Sequence, residues 1–179
     1  PFSVEPSTDP EPLPDGQIPE VFTVYSAQCK ARSVLRLLRN RGAATNALII
    51  GADTVVCIDG LILGKPADPA QAAQMLARLS GRQHRVYTGL SVVCAQRESS
   101  DCEITSVQMK ALSQQDIDTY VSSGEPLDKA GSYGIQGRAA RFIESIEGCY
   151  YNVVGLPLAR LCALIEDMGH DVVGAIGTD

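Results

Sequence analysis

The chain has 179 residues, 45% of them hydrophobic and 20% charged, with a formal net charge of −6 at pH 7. That length amounts to about one domain, large enough to bury a core without disulfide or metal staples. The acidic balance argues against sequence-independent binding along a nucleic-acid polymer, whereas a triphosphate would need only a local cluster of cations and a divalent metal.

No apolar run is long enough to span a bilayer. The opening Pro1-Phe2-Ser3-Val4-Glu5-Pro6 has neither the basic nor the apolar region of a secretion signal. A cytoplasmic protein with no membrane partner is therefore expected. The six cysteines, Cys29, Cys57, Cys94, Cys102, Cys149 and Cys162, form no C-x-x-C pair. They are expected to be buried small hydrophobes in a reducing compartment.

Residues 1–18 are dense in Pro, Asp and Glu and read as a loop. Pro19 opens a helix at the position proline favours, running to Asn40 and stopping at Gly42. An apolar run at 48–50, the tetrad Gly51-Ala52-Asp53-Thr54 and a β-branched run at 55–58 predict a strand interrupted by polar residues. Asp59-Gly60 is a hairpin turn signal, with a return strand at 61–63.

Asp68-Pro69 caps a second helix whose stripe of Ala72, Ala73, Leu76 and Leu79 ends at Gly81. Strands are expected at 85–95 and 103–112, with the hairpin tip at 97–100. Ser113 and Asp116 form a capping box for a short helix ending near Gly124. A glycine-rich irregular stretch, 127–148, carries one strand near 141–146, and a last helix starts at Leu156-Pro157 and stops at Gly169. The alternation predicts an α/β fold, with a mixed twisted sheet flanked by helices.

Asp53 follows an apolar run and is flanked by small residues, where a carboxylate could hold Mg²⁺ or take a proton from water, or serve as a satisfied turn residue. Lys65, between Gly64 and Pro66, and Lys30, in the first helix, could meet phosphate, although each also reads as a solvated lysine. Glu11 reads as a solvated charge and His84 as structural. Gln136, in the glycine-rich loop, has donors and an acceptor that could read a base edge.

Five stretches, in this order, carry a resemblance: Ile-Gly-Ala-Asp-Thr-Val-Val (50–56), Leu-Gly-Lys-Pro (63–66), Leu-Ser-Gly-Arg-Gln-His-Arg-Val-Tyr-Thr-Gly (79–89), Gly-Glu-Pro-Leu-Asp-Lys-Ala-Gly-Ser-Tyr-Gly-Ile-Gln-Gly (124–137) and Asn-Val-Val-Gly-Leu-Pro-Leu (152–158). Together they resemble the Maf family, named for septum formation and known for nucleoside triphosphate pyrophosphatase activity. The resemblance implies a single domain over 1–179 with a Maf/inosine triphosphate pyrophosphatase-like fold and a homodimer. It gives Asp53 the role of proton acceptor, places Glu11, Lys30 and Lys65 at the active site, and links Thr54 and Gln136 to pyrimidine choice.

Glu11 and Asp53 become the expected ligands of a divalent cation, Mg²⁺ or Mn²⁺. Ala52-Asp53-Thr54 and Gly134-Ile135-Gln136-Gly137 are similar to the branch that cleaves dTTP and UTP rather than methylated GTP. A non-catalytic nucleotide- or partner-binding protein linked to cell division is the alternative expectation. Family members begin with a strand, a Ser-x-Ser-Pro-Arg-Arg-like phosphate loop and a helix, and Pro1 resembles the segment just after that helix. The expected fold accordingly lacks this N-terminal strand and helix.

Overall fold

A computed structural model describes residues 2–14, 16–42, 47–95 and 97–172. Helix α1 (Pro19–Asn40) begins with proline in its first turn, where a missing N–H costs no intrahelical bond. Strand β1 (Ile49–Ile58) then runs without a break through the polar tetrad. The expected interruption at Gly51–Thr54 is absent because strand pairing satisfies the backbone whatever the side chains, and Asp53 and Thr54 find side-chain partners of their own. Asp53 therefore sits mid-strand and not at a strand end. At the turn, Asp59 and Gly60 both have positive φ, 54° and 74°, the paired requirement of a tight hairpin. Strand β2 (Leu61–Leu63) returns with Val56 opposite Leu63.

Helix α2 (Pro69–Leu79) is capped by Asp68, which accepts from the Gln71 N–H at 2.7 Å. Strands β3 (Gln83–Val93) and β4 (Glu98–Met109) follow. Their hairpin tip lies earlier than expected: the Cys94 N–H donates to the Arg97 carbonyl, and Glu98, Ser99 and Ser100 already belong to β4. These polar residues read as a turn, but Glu98 accepts from Arg32 and Ser91, and Ser100 accepts from Gln28. Partners from distant sequence keep them in the strand.

Helix α3 (Gln114–Ser122) carries the expected capping box of Ser113 and Asp116. Three short 3₁₀ turns lead to β5 (Ile143–Glu147), which pairs antiparallel with β4. A short helix α4 (Tyr150–Val154), not expected from the sequence, precedes α5 (Leu158–Asp167). The α/β class with helices flanking one sheet stands, and within it the strands run antiparallel in the order β2-β1-β3-β4-β5.

The contacts group into two compact units, with the boundary falling inside the long strands. The first holds Pro1–Asp53, Gly89–Cys102 and Leu158–Asp179. Here α1 lies directly on backbone. A Cβ on Gly51 would stand 2.3 Å from the Ala27 carbonyl oxygen, and one on Gly89 would stand 2.2 Å from the Thr23 carbonyl carbon. Ala31, Ile49 and Val93 form the local apolar cluster.

The non-regular N-terminal residues run back along α1 through a ladder of opposite charges. Glu5 meets Arg41, Asp9 meets Arg36 and Glu11 meets Lys30. The second unit holds Thr54–Thr88 and Glu103–Pro157. Its core packs Val56, Leu76, Leu79, Val86, Val107, Met109, Tyr120 and Phe142. The six cysteines are half-buried and not sealed in either core, contrary to the expectation drawn from their apolar neighbours.

Candidate active site

In the first unit, α1 and β1 bring three of the expected residues together. Lys30 Nζ lies 2.5 Å from Asp53 Oδ1 and 3.1 Å from Glu11 Oε1. The Asp53 side chain is 15% exposed and that of Glu11 65%, so one carboxylate is sheltered and the other open to solvent. Burial works to lower the Lys30 pKa. The hydrogen bond and charge of Asp53, and then those of Glu11, outweigh it and hold the ammonium above its ordinary value. Lys30 is therefore a fixed cation at neutral pH and no candidate for a base. Gly51 makes the approach possible: without a side chain it lets α1 settle onto β1, two residues from Asp53.

Thr54, Lys65 and Gln136 belong to the second unit, each on a different element. Half-buried Thr54 lies on β1 with its Oγ1 2.8 Å from Thr88 Oγ1. Lys65 is exposed on the short connection after β2, where it depresses the Asp128 pKa together with Lys129, whose hydrogen bond is the larger cause. That connection is tied down by the Gly131 N–H donating to the Gly64 carbonyl at 3.0 Å. Gln136 is exposed in a turn closed by the Gly137 N–H donating to the Gly134 carbonyl.

Glu125 braces that turn, a role not anticipated from the sequence. Both its oxygens accept from the Arg138 N–H, at 3.0 and 3.1 Å, and Tyr120 donates its hydroxyl to Oε1. The same Tyr120 oxygen accepts from the Gly134 N–H. A Cβ at Gly137 would stand 2.0 Å from Glu125 Oε1, so a larger residue there would have to displace the Glu125 carboxylate. The only signal in the sequence was the position of Glu125 at the head of the glycine-rich stretch.

His84 is 2% exposed, with Nε2 2.7 Å from the Tyr133 hydroxyl, and burial lowers its pKa to about 4. It is neutral and structural at physiological pH, as expected. Among the described residues no group of three or more His, Cys, Asp or Glu side chains is arranged to hold a metal ion. The oxygen donors available to a cation in the first unit's cluster are the two carboxylates on Lys30. A hard ion of the Mg²⁺ type needs no more, because it takes one or two carboxylates and completes its shell with water and substrate phosphates.

A family model described as Maf-like protein matches residues 1–168. The chain belongs to the Maf-like family. Among its relatives are proteins named dTTP/UTP pyrophosphatase. The one from Moorella thermoacetica is 47% identical over 178 residues, covering 98% of this chain and 89% of the relative. That from Pelotomaculum thermopropionicum is 46% identical over 165 residues, covering 91% and 83%. That from Bacillus mycoides is 42% identical over 162 residues, covering 89% and 85%. Within this Maf-like chain, Glu11, Lys30, Asp53, Thr54, Lys65 and Gln136 all lie in the matched range. No helix among the described residues is long and apolar enough to cross a membrane.

Proposed function

We propose that this protein is a nucleoside triphosphate pyrophosphatase that cleaves dTTP and UTP between the α and β phosphates, giving the monophosphate and pyrophosphate. The observation that carries the reading is the sheltered Asp53 held against a permanently charged Lys30, in a chain 41–47% identical to proteins named for that reaction. Alternative readings as a non-catalytic binding protein are not favoured by relatives that carry an enzyme's name.

Asp53 accepts a proton from the attacking water. Lys30 fixes the Asp53 rotamer, so the base is aimed before substrate arrives. Lys65, on its stiff Gly-Lys-Pro connection, offers an ammonium to the pyrophosphate as negative charge builds on it. Glu11 and Asp53 would hold a divalent cation, Mg²⁺ or Mn²⁺, which when bound supplies charge neutralisation at the phosphates. Gln136 presents an amide that donates and accepts together, matching the O4 and N3–H edge of thymine or uracil. The protein works in the cytoplasm, as a homodimer.

Pyrophosphate release from dTTP, UTP, ATP and 7-methyl-GTP in the presence of Mg²⁺ tests the reading. Turnover of dTTP and UTP well above that of the two purine substrates is expected. A preference for the methylated guanosine substrate would overturn the branch assignment, and the absence of pyrophosphate from every substrate would overturn the activity.

A further inference from the structure

Residues 2–14 lie along α1, yet none of them is buried. Phe2, Val4 and Leu13 are 93%, 83% and 80% exposed, so apolar burial does little to hold the segment there. Its attachments are polar. Glu5 meets Arg41 at 3.2 Å, Asp9 meets Arg36, Thr8 Oγ1 stands 3.5 Å from Ser33 Oγ, and Glu11 meets Lys30 at 3.1 Å. The segment therefore runs back along the helix as a strap, and Glu11 arrives beside Asp53 on the same ammonium.

The link from Asp9 to Glu11 is short and stiff. Two residues of chain span at most about 7 Å, and Pro10 between them fixes one torsion. Once Asp9 sits on Arg36, Glu11 searches only the stretch of helix that holds Lys30, which raises its effective concentration there. The Asp9–Arg36 pair is itself open to water, and salt screens such a pair readily. The contact of Lys30 with the sheltered Asp53 is screened less.

We propose that Asp9, clamped by Arg36, is a positioning residue that delivers Glu11 to Lys30, and that this strap lifts from α1 as ionic strength rises, leaving Lys30 to Asp53. The inference rests on the reading of the Lys30 cluster as the active site. It adds a pair outside the cluster on which the cluster's make-up depends, and a solution variable that changes it.

The test uses the whole chain and two readouts, the first without substrate. In Thr8→Cys/Ser33→Cys, the ratio of disulfide to dithiol in a glutathione buffer reports how often the strap lies down. Adding Arg36→Glu replaces attraction by repulsion and should lower that ratio about fivefold. Adding Asp9→Lys as well exchanges the two charges and should restore it. A pair that never oxidises, or a ratio indifferent to Arg36→Glu, overturns the proposal. The second readout is kcat/KM for dTTP with Mg²⁺ at about 0.1 M and about 1 M NaCl, between which the Debye length falls from about 10 Å to about 3 Å. Salt screens the substrate in every form alike. The disulfide form of the double variant, its strap pinned, should therefore lose about fivefold less activity than its dithiol form. Arg36→Glu at the lower salt should reduce kcat/KM about fivefold in the parent and no further in Glu11→Gln, because a residue that acts through Glu11 has no effect without it. A mere brace of α1 would lower both backgrounds alike. That result, or equal salt losses in the two redox forms, overturns the proposal. A parent that releases no pyrophosphate from dTTP or UTP overturns the functional reading, while the disulfide ratio still decides whether Asp9 holds the strap.

Discussion

Asp53 and Lys30 define each other's state. The carboxylate keeps the ammonium charged, and the ammonium keeps the carboxylate in one place, 2.5 Å away. Asp53→Asn preserves volume and a hydrogen-bonding oxygen but cannot take a proton. It should lower the rate of pyrophosphate release about 10²–10⁴-fold, while a circular-dichroism melt stays close to the parent's because Glu11 still pairs with Lys30. A rate near the parent's would remove Asp53 from the role of base.

His84 makes a separate prediction at this scale. Its folded pKa is about 4 against an ordinary 6.5, the cause being burial. The unfolded chain therefore binds more protons between those values, and stability rises with pH across that window. It is fully present above about pH 6.5 and is lost as pH falls toward 4. The loss amounts to about 3 kcal/mol. The carboxyls held low by neighbours, Asp59 beside Arg82, Asp116 in its capping box and Asp128 beside Lys129, titrate below this range. Urea denaturation at pH 7.0 and 4.5 should show the drop in the parent and a much smaller one in His84→Gln.

Elements meet most closely where α1 crosses the strands. Gly51 and Gly89 present bare backbone to the helix, and a methyl group at Gly51 would enter the Ala27 carbonyl. Gly51→Ala should cost about 1–3 kcal/mol, read as a lower urea midpoint. Turnover in the surviving folded fraction should also fall, because a helix pushed off β1 carries Lys30 away from Asp53. Unchanged stability would mean that α1 shifts freely. The N-terminal ladder of Glu5, Asp9 and Glu11 along Arg41, Arg36 and Lys30 works differently. Exposed pairs of this kind contribute little each, and the consequence of the ladder is geometric. It lays an otherwise irregular stretch along the helix and delivers Glu11 to the cluster.

On the scale of the whole molecule, a chain of net charge −6 must attract a substrate that is itself strongly negative. Local cations and a divalent metal have to reverse the sign of the field at the phosphates. Lys30 already bridges Glu11 and Asp53 without a metal, leaving the cluster one negative charge in excess. Removing divalent cations with EDTA should therefore abolish turnover and leave the melting midpoint where it was. A large fall in that midpoint would mean that the fold itself depends on a bound ion.

The sequence by itself determined the features that act over a few residues. Pro19 and Asp68-Pro69 start helices, Asp59-Gly60 turns a hairpin, and Ser113 with Asp116 caps α3, because each needs only its neighbours' backbone. The ordered motifs also pointed to the family, and with it to Asp53, Lys30 and Glu11. Only the tertiary structure decided the rest. Glu98 and Ser100 read as a turn until Arg32, Ser91 and Gln28 supply their partners. The tetrad around Asp53 reads as a break until Lys30 and Thr88 take up its polar groups. Glu125 and Thr88 had no local mark of their partners. Each is held by at least one hydrogen bond to a residue 13 or more positions away, which only folding brings within reach.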